Sequence, residues 1–150
     1  MCTYLRPTEK SDYPLIMSWR SNPLVFQGFY RQTEPLKWEE HIAWIKSRNQ
    51  DWRNFIIMYE DRPVGGVTIG QLDHWEPEVG YYIGEVSLWG KGIGREAVKL
   101  ALDYIKNYGR EHCHTTVLES NERSIRLLES LGFKKNGEAR KGEIWMKAEL

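Results

Sequence analysis

Trp89-Gly90-Lys91-Gly92-Ile93-Gly94-Arg95 decides how this chain is read, because three glycines and two cationic side chains stand directly ahead of a strong helical repeat. Beyond it Ala97, Leu100, Ala101, Tyr104, Ile105 and Tyr108 recur at three- and four-residue spacing, which predicts an amphipathic helix from about Arg95 to Asn107, ended by Gly109. The first amides of a helix have no carbonyl partner, and the helix dipole favours negative charge there. Glycine removes side chains that would keep a phosphate away, while Lys91 and Arg95 add donors, so a pyrophosphate is the expected ligand. Three loop glycines can equally form no more than a flexible turn, and only their position at a helix start argues otherwise.

A competing reading exists. Gly92-Ile93-Gly94-Arg95-Glu96-Ala97 fits the dinucleotide pattern G-x-G-x-x-A, with Glu119 at the end of the next strand. That motif needs a tight turn directly off a buried apolar strand, whereas Gly84 to Trp89 intervene here and the strand opens on Glu78. It also needs a second mononucleotide half, for which the chain is too short. The phosphate-loop pattern G-x-x-x-x-G-K-S/T is absent.

Upstream of the loop, Glu78 to Ile83 reads as a strand, preceded by a hairpin of Phe55–Tyr59 and Val64–Leu72 around Glu60-Asp61-Arg62-Pro63. Farther back, Trp38, Ile42 and Ile45 mark a helix from Pro35 to about Arg48. Ser21 to Gln32 reads as loop, Tyr13 to Trp19 as a helix behind Ser11-Asp12, and Cys2 to Leu5 as a first strand. Downstream, Thr115 to Leu118 reads as a strand, and Asn121 opens a last helix carrying Ile125, Leu128 and Leu131 before Gly132. Strands near Lys134–Glu138 and Glu143–Lys147 follow. The expectation is one mixed α/β domain over residues 1–150, with a largely antiparallel sheet and one β-α-β crossover.

With 150 residues, 41% of them hydrophobic, the chain is long enough for one continuous core. Lys plus Arg and Asp plus Glu both number 21, so no overall field draws it to nucleic acid or an anionic membrane. Cys2 and Cys113 form no C-x-x-C pair and read as free thiols in a reducing compartment. Arg6, Glu9, Lys10 and Asp12 interrupt any apolar run at the start, and the hydrophobic stretches are short, so neither a signal peptide nor a membrane span is expected. The cytoplasm is the expected location. His112 and His114 face no second ligand cluster, and no metal is assigned.

The loop resembles that of the GNAT N-acetyltransferases, which runs Gln or Arg, two variable positions, Gly, one variable position, then Gly or Ala. Trp89 replaces the usual Gln or Arg, which looks like the branch containing ribosomal-protein N-terminal acetyltransferases. Glu78-Val79-Gly80-Tyr81 with Ile83, and Glu96-Ala97, are similar to that branch too. A second block, Asn121 and Ser124 followed by Leu131-Gly132-Phe133, stands at the expected distance. Weaker likeness to amino-sugar acetyltransferases extends through Trp19-Arg20-Ser21-Asn22 and Glu39-Glu40-His41. The resemblance implies a GNAT fold with helices on both sheet faces and acetyl-CoA as cosubstrate. It implies the pyrophosphate on the amides of Lys91, Gly92, Ile93, Gly94, Arg95 and Glu96. Val86, Ser87 and Leu88 would pair with the pantetheine arm as a strand would, Asn121 would bond the same arm, and amides near Val86 would form an oxyanion site.

Acetylating an amine requires removing a proton, since α-amines and lysines have pKa values of about 8 and about 10.4. Glu78 is the first candidate base, ahead of Glu76, Glu85 and His41, although a glutamate at a strand end is often only a solvated charge. Many family members carry a tyrosine four residues before the closing glycine, where this chain has Leu128; Ser124, or a water it holds, is left as proton donor, with helix capping as its rival role. His41 and His74 read as packing or surface residues. Tyr82, Tyr30 and Trp75 can line the acceptor side or the core. The acceptor is a peptide N-terminus or a small amine or amino sugar. The alternatives are a coenzyme A binder without turnover and a dinucleotide-dependent oxidoreductase. Open sheet edges allow a homodimer.

Overall fold

The computed structural model describes residues 2–27, 32, 34–35, 37–46 and 52–150. Among these, seven strands form one sheet in the order β1-β2-β3-β4-β5-β7-β6. They are β1 (Thr3–Pro7), β2 (Arg53–Tyr59), β3 (Arg62–Gly70), β4 (Glu78–Ile83), β5 (His112–Leu118), β6 (Lys134–Arg140) and β7 (Glu143–Glu149). Every neighbouring pair is antiparallel except β4 and β5. That single parallel pair is joined by a helical crossover, as expected from the sequence. A dinucleotide fold needs two mononucleotide halves of parallel strands, and this sheet does not supply them.

The helices are α1 (Tyr13–Arg20), α2 (Pro23–Phe26), α3 (Trp38–Lys46), α4 (Ile93–Asn107) and α5 (Glu122–Ser130). The segment read as loop from Ser21 holds α2, started by Asn22, whose Oδ1 accepts the Leu24 amide at 3.0 Å, and by Pro23 at the first helical position. Arg48, the expected end of α3, lies outside the described residues. The helix after the glycine loop begins at Ile93, two residues before the expected start, because Gly92 adopts φ 81° and serves as its cap. It ends in a Schellman motif: Gly109 N–H bonds Lys106 O at 3.0 Å and Arg110 N–H bonds Ile105 O at 3.2 Å, with Gly109 at φ 105°.

Alternation along the strands divides the packing between two layers. Ile57, Val67, Val79, Cys113 and Val117 pack beneath α4 and α5 against Ile93, Ala97, Val98, Ala101, Ile105, Ile125 and Leu128. Their neighbours Ile56 and Met58 face the other way, onto Ile16 and Trp19 of α1. On β4, Tyr81 and Ile83 therefore belong to the α4 side, and Tyr82 to the α1 side.

Candidate active site

Trp89 anchors the glycine loop. Its indole N–H donates to Ile83 O at 2.9 Å, and the Arg123 guanidinium lies 5.6 Å from its ring, so the loop is tied to the end of β4 and to α5. The first intrahelical bond of α4 runs from Glu96 N–H to Gly92 O at 3.1 Å. The amides of Ile93, Gly94 and Arg95 thus lack helical partners, whereas that of Glu96, also in the expected set, is engaged in the first helical bond. Arg95 reaches across to α5, where its Nε donates to Ser130 Oγ at 3.1 Å. Lys91 is exposed and does not line the cavity described next.

β4 and β5 meet at one register position, Glu78 opposite His114, where His114 N–H bonds Pro77 O at 2.9 Å. Beyond it the strands part. A cavity of about 1110 Å³ occupies the gap, bounded by Gly80–Ile83 on one side, Thr115–Leu118 on the other, and Gly92–Arg95 at one end. Val86–Leu88 form a 3₁₀ turn rather than an extended segment. Leu88 N–H bonds Glu85 O at 2.9 Å and Trp89 N–H bonds Val86 O at 3.1 Å, so strand-like pairing with a ligand along 86–88 is not available in this conformation. The local i→i+3 bonds won because the sequence turns immediately after Gly84, which is buried beside Trp19.

The candidate side chains fall on opposite faces of the sheet. On the α4 and α5 side, Asn121 caps α5, its Oδ1 accepting Ser124 N–H at 3.2 Å, and both residues line the cavity. Ser124 Oγ lies 2.7 Å from Tyr81 Oη, an arrangement in which either hydroxyl can donate. Burial pushes the Tyr81 phenol above its usual range, with the Ser124 bond partly opposing it. In the sequence Tyr81 stands only within the block that carries the family resemblance, with no site role; the alternation of β4 opposite a helix bearing Ser124 is the signal that gives it one. Leu128, at the family's usual tyrosine position, is buried in the core and also borders the cavity.

On the other face, Glu78 lines the cavity with its side chain 41% exposed, and His114 Nε2 approaches its Oε2 at 3.6 Å. Glu76 lies behind, 3.3 Å from His114 Nδ1 and 3.4 Å from Lys147 Nζ. Tyr82, Arg20, Trp44 and Trp145 complete this side, the Arg20 guanidinium standing 4.0 Å over the Trp44 ring. Burial drives the Tyr82 phenol strongly upward.

The remaining sequence candidates sit elsewhere. Glu85 accepts the Trp19 indole N–H at 2.9 Å. His41 is fully buried, its Nε2 3.1 Å from Tyr13 O, and burial lowers its pKa. His74 Nδ1 accepts Glu76 N–H at 3.2 Å, stabilising the loop before β4. Trp75 is exposed and edge-on to His112. Tyr30 lies outside the described residues. Among the described residues no group of three or more His, Cys, Asp or Glu side chains is arranged to hold a metal ion.

The model of the acetyltransferase (GNAT) domain matches residues 3–134. An uncharacterized protein of Methanocaldococcus jannaschii is 49% identical over 144 residues, 93% of this chain but 29% of that protein, so the chain spans under a third of that relative's length. An uncharacterized N-acetyltransferase of Bacillus licheniformis, p20, is 32% identical over 89% of this chain and 79% of its own. Among solved structures, the Vibrio cholerae spermidine N-acetyltransferase in complex with CoA and spermine superposes with a TM-score of 0.85 at 19% identity, covering 98% of this chain and 95% of its own, a likeness of fold. A family match over residues 3–134 takes in β1 through α5, including the glycine loop and both strands that flank the gap, and on it this chain belongs to the GNAT acetyltransferase family.

Proposed function

We propose that this chain is an N-acetyltransferase that passes the acetyl group of acetyl-CoA directly to a primary amine, working as one catalytic domain in the cytoplasm. One observation carries the reading: a single cavity runs from the unpaired amides at the start of α4, through the gap between β4 and β5, to the carboxylate of Glu78. It gives an acyl donor and an amine separate approaches to a common point. The residues fit coenzyme A, because a Cβ built on Gly92 meets no atom within 4 Å, leaving the approach to the Ile93, Gly94 and Arg95 amides open. Those amides would hold the pyrophosphate, and the Asn121 side-chain NH₂, not used in capping, would bond the pantetheine arm.

Bound acetyl-CoA supplies an activated acyl carbonyl and a thiol leaving group. Glu78 takes the proton from the acceptor ammonium, which is no nucleophile until it is lost. On the opposite face, the Tyr81–Ser124 hydroxyl pair holds the proton that returns to a departing sulfur. The acceptor side joins carboxylate and aromatic surface, Glu78 with Tyr82, Trp44 and Trp145, which suits a cationic amine: a peptide N-terminus, an amino sugar or a small amine. The spermidine acetyltransferase of the same fold supports a small amine among these. The sheet edges β1 and β6 provide the surfaces for a homodimer.

The absent tyrosine at Leu128 favours a second reading, a coenzyme A binder without turnover. Thermal unfolding with acetyl-CoA, coenzyme A and NAD, followed by turnover over a panel of amines, separates them. Stabilisation by the coenzyme A pair and acetylated product, with Glu78→Gln lowering kcat by about 10²-fold or more, supports the transferase. Stabilisation without product from any amine supports the binder, and a response to NAD alone overturns both.

A further inference from the structure

His114 occupies a position that the reaction has not yet used. It is buried on β5, its ring lies between two carboxylates, and its cross-strand partner on β7 is Lys147. Nε2 faces Glu78 Oε2 at 3.6 Å, Nδ1 faces Glu76 Oε1 at 3.3 Å, and Glu76 Oε1 in turn lies 3.4 Å from Lys147 Nζ. The Trp145 ring packs edge-on against the imidazole, centroids 5.3 Å apart, and closes that flank. Both ends of the line are more open than its middle: the side chains of Glu78 and Lys147 are 41% and 40% exposed, those of His114 and Glu76 11% each. The Nδ1–Glu76 approach is within ion-pair distance, yet it is not aligned as a hydrogen bond, leaving this buried nitrogen without one. The geometry is that of a relay at rest, which a small reorientation of the ring and of the Glu78 carboxylate would close.

Acetylation of an ammonium ion by a thioester returns one proton to the thiol and must discharge a second to solvent. Once an acceptor covers Glu78, that second proton has no direct way out. We propose that His114 is the positioning residue for Glu78 and carries this proton away, a role that rests on the transferase reading. Glu78 takes a proton from the ammonium and passes it to His114 Nε2 while Nδ1 gives its own to Glu76, which releases it beside Lys147 to solvent. Glu78 is again a carboxylate and nothing is oxidised or reduced; the imidazole has exchanged tautomers, and once product leaves, proton exchange with solvent through the uncovered Glu78 and through Glu76 restores the starting tautomer. The groups facing His114 are Glu76 from the loop before β4, Glu78 from β4, and Trp145 and Lys147 from β7; Cys113 next to it points to the opposite face.

Two measurements test this. In the intact protein, the ¹⁵N signals of the His114 ring should move from their wild-type positions on Glu78→Gln at Nε2 and on Glu76→Gln at Nδ1; a ring indifferent to both substitutions overturns the relay whether or not any amine is acetylated. In turnover, His114→Gln, which keeps a polar side chain but cannot titrate, should lower kcat about tenfold or more, leave KM for acetyl-CoA unchanged, and alter the pH profile of kcat in the same sense as Glu76→Gln. The fall lies below the 10²–10⁴ typical of a direct acid or base. A His114→Gln enzyme with wild-type kcat and pH profile overturns the proposal while the transferase stands. Failure of the wild-type protein to acetylate any amine sinks the transferase reading and the relay's purpose together, and the ring signals then decide only whether the bridge exists.

Discussion

Replacing Gly92 by alanine tests the assignment of the α4 N-terminus, provided strain is separated from ligand contact. Gly92 has φ 81°, and a built Cβ touches nothing within 4 Å, so the substitution clashes with no protein atom and its cost is conformational. Holding an alanine in the left-handed region costs about 1–2 kcal/mol, and in a chain of this size each kcal/mol lowers Tm by about 2–4 °C. Gly109 offers a control at the other end of the same helix, with φ 105° and an equally open Cβ direction. Gly109→Ala should lose comparable stability. The ligand separates them, because Gly92 caps the end of α4 whose Ile93 to Arg95 amides are free, so an added methyl stands where a bound phosphate would approach, whereas Gly109 lies at the other end of the helix. Displacing a phosphate from one charge-assisted amide bond forfeits about 1.5–3 kcal/mol, equivalent to a rise of about 10- to 100-fold in Kd. Calorimetric titration with coenzyme A on both variants is the assay. Weakened binding in Gly92→Ala alone is expected, and equal affinities in the two variants would refute the pyrophosphate site.

On the opposite side of the sulfur, Tyr81→Phe and Ser124→Ala each break the 2.7 Å hydroxyl pair and should each lower kcat. The double variant should lose little more than either single one, and full additivity in steady-state rates would show that the two hydroxyls do not act as a unit. Burial, reinforced by the charge of Glu76, pushes the Cys113 thiol up to about 12, whereas Cys2 is exposed. Alkylation near neutral pH should therefore modify one thiol per native chain and two only after unfolding, as counted by mass spectrometry. The Arg6 guanidinium, bonded to Asp12 at 2.8 Å through both oxygens, holds that carboxyl below its usual range. A depressed carboxylate stabilises above its unfolded pKa, and the contribution is lost as pH falls through the folded value. Acid unfolding followed by circular dichroism should show Arg6→Met losing stability at neutral pH and less of it on acidification below about 4 than the wild type.

Much of this chain is local in its logic, and that part was legible beforehand. The α4 repeat from Ala97 to Tyr108, the strand Glu78–Ile83 and the caps at Asn121 and Gly109 follow from side-chain periodicity and backbone freedom within a few residues. So did the coupling of a glycine turn to a helix start, from which the anion site and the family resemblance were read. Where the local conformation differs from an extended segment with free amides, the deciding force was also local but finer: i→i+3 bonds turn 86–88 into a 3₁₀ segment, and the first helical bond occupies the Glu96 amide.

What only the tertiary structure decided is how the chemistry is distributed about the sheet. Glu78 and Tyr81 are three residues apart, yet the strand's twofold alternation sends them to opposite faces. Which partner each meets, His114 for the one and Ser124 for the other, depends on β5 and α5 arriving from more than thirty residues downstream. The gap that unites the two faces exists because β4 and β5 pair at a single position and then diverge. No pattern within either strand encodes that divergence, since it is a property of how two strands far apart in the sequence meet.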